Sequence, residues 1–212
     1  MLESIAVVIP TLNRLDMTFE AVESCRNQSM PPTEILVVDN GSDDGTLSAD
    51  FGDGVRVLFE PSPGAGHARL KGLACSSASH IVFLDSDDLL LSNALEDLSK
   101  IATVTHADIT FGQLQNFSDS PKGRSFGKQV LHPSGSTSLI RRDAFNKFGQ
   151  FEGDNYSFAI WIEAVRTLGA TFSSTSEVVA LRRIHDSNMG LSEESRQFYL
   201  DLVRGRIENR SK

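Results

Sequence analysis

Three carboxylates, Asp85, Asp87 and Asp88, stand within four residues, directly after the apolar run Ile81-Val82-Phe83-Leu84. An apolar run of this length between polar residues reads as a buried strand. The carboxylates then lie at its C-terminal end, where open α/β sheets place their ligand crevice. Acidic groups this close repel one another, so packing alone does not favour them. A divalent cation relieves the repulsion, and carboxylate oxygens suit Mg²⁺ or Mn²⁺, which commonly share their coordination with substrate phosphates. A solvated acidic turn capping the next helix would use the same three residues. Asp39 closes an earlier apolar run, Glu34-Ile35-Leu36-Val37-Val38, as Asp85 closes this one. There it can hydrogen-bond a ribose hydroxyl or a base N–H, or serve as a turn residue ahead of Asn40-Gly41. Taken together, Asp39 and the acidic cluster describe a crevice for a nucleotide with a metal on its phosphates.

The elements that must position these groups alternate. Apolar runs over 4–9, 34–38, 55–59 and 81–84 read as strands. Apolar residues at helical spacing predict helices over 16–28 (Leu15, Phe19, Val22), 66–76 (Leu70, Leu73, Ala74 inward) and from an N-cap at Ser92 to about 105 (Leu95, Leu98, Ala102). Strand–helix–strand units of this kind form a mostly parallel, right-handed sheet. The second half is less regular. A strand is expected over 107–112, a polar, mobile loop over 115–133, and Ser138-Leu139-Ile140 leading into a helix over 142–148 closed by Gly149. A helix over 156–168 ended by Gly169, a strand over 177–182 and a final amphipathic helix from Ser192, with Tyr199, Val203 and Ile207 on one face, complete the pattern.

The 212 residues suit one domain with a full core. Hydrophobic residues at 40% and charged residues at 23% are ordinary for a globular protein, and a net charge of -8 argues against a broad nucleic-acid surface. No apolar run approaches the roughly 18 residues of a membrane span. The start of the chain has no basic n-region, so no signal peptide is expected. Cys25 and Cys75 fit no metal or redox pattern and are expected as free thiols in a reducing cytoplasm.

Four ordered stretches carry a resemblance: Val7-Val8-Ile9-Pro10-Thr11-Leu12-Asn13-Arg14, Ile35 through Thr46 (with Asp39-Asn40-Gly41-Ser42-Asp43-Asp44-Gly45), Gly66-His67-Ala68-Arg69 and Phe83-Leu84-Asp85-Ser86-Asp87-Asp88. Together they resemble the family 2 glycosyltransferases of GT-A fold. The second half matches more thinly, through Ser138-Leu139-Ile140-Arg141-Arg142, Phe148-Gly149-Gln150-Phe151 and Leu181-Arg182-Arg183-Ile184-His185. The resemblance implies a GT-A-like (Rossmann-like) α/β fold. Its mostly parallel central sheet is flanked by helices and joined to a small antiparallel, loop-rich acceptor half. It divides the domain into a nucleotide-sugar half over 1–105, an acceptor half over 106–191 and a C-terminal helix over 192–212. It implies Thr11 and Asp39 on the base and ribose of a nucleotide-sugar donor, Arg69 beside the base or phosphates and Asp85 near the ribose. Asp87 is implied as the main ligand of Mn²⁺ or Mg²⁺, His185 as a further metal or diphosphate contact, and Arg183 as a phosphate partner. On residues alone His185 reads as a surface-loop histidine.

Inverting transfer needs a base for the acceptor hydroxyl. The family's base is a carboxylate that follows a Gly and heads a helix. Here the stretch is Gly153-Asp154-Asn155-Tyr156, and Asn155 occupies the usual base position. Asp154 takes the role if the register slips by one; otherwise it N-caps its helix, with Glu152 and Glu163 as fallback candidates. Phe158 and Trp161 read as core. The resemblance thus implies a soluble or peripheral cytoplasmic enzyme of surface-polysaccharide assembly. It would move a sugar, UDP-linked by the family's habit, onto a hydroxyl of a glycan or lipid-linked acceptor. The arginines of the last helix leave a contact with the inner membrane face open, and the helix itself a homodimer contact. The rival reading is an inactive nucleotide-sugar-binding subunit. A sugar nucleotidyltransferase would need a Gly-rich loop after the first strand, and Pro10-Thr11-Leu12-Asn13-Arg14 has no Gly.

Overall fold

The computed structural model describes residues 4–119, 123–153 and 157–185. The first elements are Ile5–Thr11 (β1), Leu15–Arg26 (α1), Glu34–Asp39 (β2), Val55–Phe59 (β3), Ala65–Cys75 (α2), His80–Phe83 (β4), Leu89–Leu90 (β5) and Ala94–Thr105 (α3). They are followed by Ile109–Ser118 (β6), Ser125–Leu131 (β7), Ser138–Arg141 (β8), Arg142–Phe148 (α4), Ser157–Thr167 (α5) and Phe172–Arg183 (β9). One sheet runs in the order β3-β2-β1-β4-β8-β6-β9-β5, with β7 paired on β6. From β3 to β4 the strands are parallel. β8 is antiparallel to both β4 and β6, while β9 returns parallel to β6.

The apolar runs follow from burial on both faces. Along β1, Ile5, Val7 and Ile9 face Ala21, Val22 and Cys25 of α1 and Leu95 and Leu98 of α3. The alternate residues, Ala6 and Val8, face Ala68 and Leu73 of α2 in the other layer, which also holds Phe145, Phe158 and Trp161. A strand covered on both sides reads as continuously apolar. Phe158 and Trp161 are therefore core, and Trp161 Nε1 donates to the Gly149 carbonyl at 2.7 Å. Burial lifts the Cys25 thiol to about 12, so it stays protonated and inert.

Several expectations are corrected. Ala74, expected inward, is exposed, and the inner face of α2 runs through Ala68, Arg69, Gly72 and Leu73. The cause is close approach at Gly72, where a Cβ would run into the Val8 side chain. The helix expected to be capped by Ser92 begins at Ala94, and a buried Gln28 side chain accepts from Leu95 N–H at 3.1 Å. The stretch expected as a mobile loop over 115–133 is largely a hairpin of β6 and β7. Every residue of β7 is exposed, so its backbone hydrogen bonds, and no hydrophobic pattern, define it. β9 is longer than the expected 177–182 because it pairs with β6 over nearly its whole length. The final helix, Asp154 and Asn155 lie outside the described residues.

His80 opens β4, 8% exposed, with its Nδ1 3.0 Å from Ser79 Oγ. Burial, helped by the Arg141 charge, lowers its pKa to about 4. The unfolded chain takes up that proton near pH 6.5. The stabilisation from a neutral His80 is therefore complete above about pH 6.5 and drains away as pH falls towards 4. Urea unfolding between these limits should give a flatter stability–pH curve for His80→Gln than for wild type; parallel curves would refute this.

Candidate active site

The carboxyl ends of β1 and β4 open onto a cavity of about 400 Å³ lined by Thr11, Arg14, Asn40, Arg69, Asp85 and Asp87, with Arg182 at its rim. Two loops interlock beneath it. Asn13, in the left-handed region (φ 53°), donates its backbone N–H to Ser42 Oγ at 2.9 Å and accepts from Asp43 N–H at 2.8 Å. The Leu15 N–H at the start of α1 is capped from across the loop by Asp44 Oδ2 at 2.9 Å. The Thr46 hydroxyl bonds that carboxylate and holds its pKa below the ordinary range. Thr11 packs its hydroxyl 2.8 Å from that of Thr18 on α1.

Asp39 is wholly buried, and its carboxylate accepts from Ser42 N–H at 3.2 and 3.4 Å. Its neighbour Asn40 forms the cavity wall, pinned by amide bonds to the Glu60 and Ser62 carbonyls at 2.9 and 2.7 Å. Arg69 rises from α2 and pairs with Asp85 at 2.5 Å. Its Nε is buried with no hydrogen-bond partner among the described residues, and its guanidinium lies 5.9 Å from the Phe158 ring centre.

Asp87 is held from several sides. Its Oδ2 accepts from Arg14 Nη1 at 2.7 Å and lies 3.0 Å from His185 Nε2, and its carbonyl accepts from Arg183 Nε at 3.2 Å. Asp88 is the hub beneath it: the Ser136 hydroxyl donates to Oδ2 at 2.8 Å and Arg183 N–H to Oδ1 at 3.3 Å. Burial first, then the charges of Asp85 and Asp87, push its carboxyl well above the ordinary range. All three carboxylates line the cavity, but unequally: Asp85 is half-exposed, Asp87 and Asp88 are buried, and Asp88 also ties Ser136 and Arg183 together.

Among the described residues no group of three or more His, Cys, Asp or Glu side chains could hold a metal ion. Asp87 and His185 are the side chains that could hold one. That suits Mg²⁺ or Mn²⁺, which keep several waters and take substrate phosphates alongside one or two protein ligands, and it does not suit an all-protein cage.

Arg183, implied as a phosphate partner, is turned elsewhere. Its guanidinium, 7% exposed, bonds Asp119 and Glu20, the latter at 2.8 Å, and lies 4.8 Å from the Phe117 ring centre. Arg124 covers Phe117 at 4.6 Å and reaches the same two acids. Successive strand residues point to opposite faces, so the adjacent Arg182 is the one at the cavity. The network ties the β6–β7 hairpin to the acidic loop. Arg183→Ala should cost about 2–3 kcal/mol in urea unfolding, less than a wholly buried pair because both acids are half-exposed and rehydrate. Arg183→Lys should recover part of it; a loss below about 0.5 kcal/mol would overturn the clamp. Sequence reasoning assigned no role to Arg14, Asn40 or Arg182; the polar tails of the first two strands and the basic pair near the end of β9 were the available signals.

Charged side chains gathered at the carboxyl ends of parallel strands define an α/β ligand-binding domain. A sequence model of the family described as Glycosyl transferase family 2 matches residues 6–160, and the chain belongs to that family. The poly(ribitol-phosphate) beta-N-acetylglucosaminyltransferase TarP of Staphylococcus aureus is 33% identical over 138 residues, covering 61% of this chain and 41% of TarP. The glycosyltransferase GlyG of Streptococcus pneumoniae is 32% identical over 126 residues, covering 57% of this chain and 42% of GlyG. The chain thus spans about two-fifths of each relative's length. The crystal structure of S. aureus TarS 1-349 with UDP-GlcNAc superposes with a TM-score of 0.71 at 18% identity, over 87% of this chain and 60% of that one.

Proposed function

We propose that this chain transfers a sugar from a nucleotide-diphosphate-sugar, UDP-linked by preference, to a hydroxyl of a glycan or lipid-linked acceptor in surface-polysaccharide synthesis, with inversion. The carrying observation is the convergence of Thr11, Arg69, Asp85 and Asp87 on one cavity at the strand ends. UDP and UDP-GlcNAc in the TarS structures and the poly(ribitol-phosphate) in TarP's name support the donor and acceptor classes.

In this reading Asn40 and Thr11 shape the base and ribose pocket, with Asp39 holding the turn behind them. Arg69 and Arg182 face the phosphates, and Asp85 orients Arg69 and the ribose. Asp87 and His185 would hold Mn²⁺ or Mg²⁺, which when bound supplies Lewis-acid stabilisation of the departing nucleoside diphosphate. Asp154 takes the proton of the acceptor hydroxyl. The acceptor oxygen bonds to the anomeric carbon on the face opposite the diphosphate, the bond from that carbon to the diphosphate breaks, and the configuration inverts. Thermal melting against a panel of nucleoside diphosphates, each with and without Mn²⁺, tests the donor side. A metal-dependent rise with one diphosphate supports the reading; no rise with any of them refutes it.

The approach to Asp154 has a structural constraint. The Gly153 carbonyl accepts from His67 N–H at 2.9 Å, and a Cβ at Gly153 would run into the His67 ring. Gly153→Ala must displace the His67 ring or the backbone at Gly153, next in sequence to Asp154. The expected result is a drop in kcat of about 10–10²-fold with the nucleotide-induced melting shift retained; unchanged kcat would show that the His67 ring gives way.

A further inference from the structure

Arg14 sits on Asp87 Oδ2, the oxygen that also lies 3.0 Å from His185 Nε2. Its Nη1 donates to Asp87 Oδ2 at 2.7 Å, with the Arg14 side chain 25% exposed and that of Asp87 only 10%. Both backbones are fixed. The Arg14 carbonyl accepts from the Thr18 N–H and hydroxyl, each at 2.8 Å, and its neighbours Asn13 and Leu15 are tied to Ser42 and Asp44. Asp87 is anchored by Arg183 on its carbonyl and is followed by the Asp88 hub. Of the two side chains, that of Arg14 is the longer and the more exposed. A cation arriving alone must expel a guanidinium from a partly desolvated oxygen and leave that positive charge beside itself in the cavity. A diphosphate arriving with the cation offers the guanidinium a fork of oxygens that it matches well.

We propose that Arg14 is an electrostatic placeholder on Asp87, which keeps the carboxylate from a lone metal ion and passes to the donor's diphosphate when metal and nucleotide bind together. This rests on the metal-dependent reading above. The placeholder makes metal and nucleotide affinities mutually dependent, and that dependence is reciprocal.

The test is Mn²⁺ binding, read from the electron paramagnetic resonance signal of the free ion, in wild type, Arg14→Gln and Asp87→Asn, each with and without UDP. Arg14→Gln should bind Mn²⁺ alone about tenfold more tightly than wild type and gain less from UDP. Asp87→Asn should lose Mn²⁺ binding, and Arg14→Lys should stay near wild type. Arg14→Met, which keeps the apolar stem, serves the same comparison if the Gln variant melts early. Wild type that binds Mn²⁺ with UDP, beside an Arg14→Gln or Arg14→Met chain whose affinity for Mn²⁺ alone is unchanged or weaker, overturns the placeholder and leaves the metal reading standing. Mn²⁺ that binds none of the chains with or without UDP overturns both.

Discussion

Asp87→Ala is expected to abolish the Mn²⁺-dependent rise in melting temperature with UDP and to lower sugar transfer by about 10²–10³-fold. Binding at a hundred times Kd stabilises the native state by about 2.7 kcal/mol. For a domain of this size that is a rise of about 5–10 °C in wild type. The variant should lose it because Asp87 supplies the carboxylate of the proposed metal site. Asp87 also stands 3.0 Å from His185 Nε2, the second donor of the proposed site. The variant should still fold: the contacts of Asp88 with Ser136 and Arg183 do not pass through the Asp87 side chain. An Mn²⁺-dependent rise that survives in Asp87→Ala would move the metal elsewhere and remove the central claim about this cavity.

Asp154→Asn should reduce transfer by about 10²–10⁴-fold, the range for losing a positioned base. It should leave the nucleotide- and metal-induced melting shift unchanged. This pairing separates an enzyme from a binding subunit. The base position of the family pattern is held here by Asn155, which motivates the inactive reading. If wild type binds nucleotide yet neither transfers nor hydrolyses any donor, the binding-subunit reading takes over. If wild type transfers and Asp154→Asn does too, the base lies elsewhere. Glu152 is exposed and Glu163 lies on α5 outside the cavity lining, so each can be neutralised in parallel to find it.

What was legible in the sequence was whatever local pattern and double-sided burial dictate. The runs that became β1, β2 and β4 are apolar throughout because helices cover both faces of the sheet, and the polar residues closing them mark the carboxyl edge. The residue pattern put Asp85 and Asp87 at a strand's carboxyl end, and the resemblance to the family to which the chain belongs put Arg69 beside them; all three line the cavity. Asp39 was expected on the base and ribose; it is wholly buried behind Asn40, under a turn that closes on Ser42, and the cavity lining does not include it.

Tertiary structure decided the rest. The β6–β7 hairpin is exposed on its returning strand, so no burial stamped a pattern on 125–131, and only cross-strand hydrogen bonds define it. Whether Arg182 or Arg183 faced the crevice depended on the pleat of a strand whose pairing could not be read locally. Asp88, third in an acidic triplet, became a buried structural carboxyl because Ser136 and Arg183, 48 and 95 residues away, close over it. Arg14 reached Asp87 across 73 residues for the same reason. Local sequence carries burial and capping, which depend on near neighbours. The partner of a charge depends on which distant strand ends the sheet brings together.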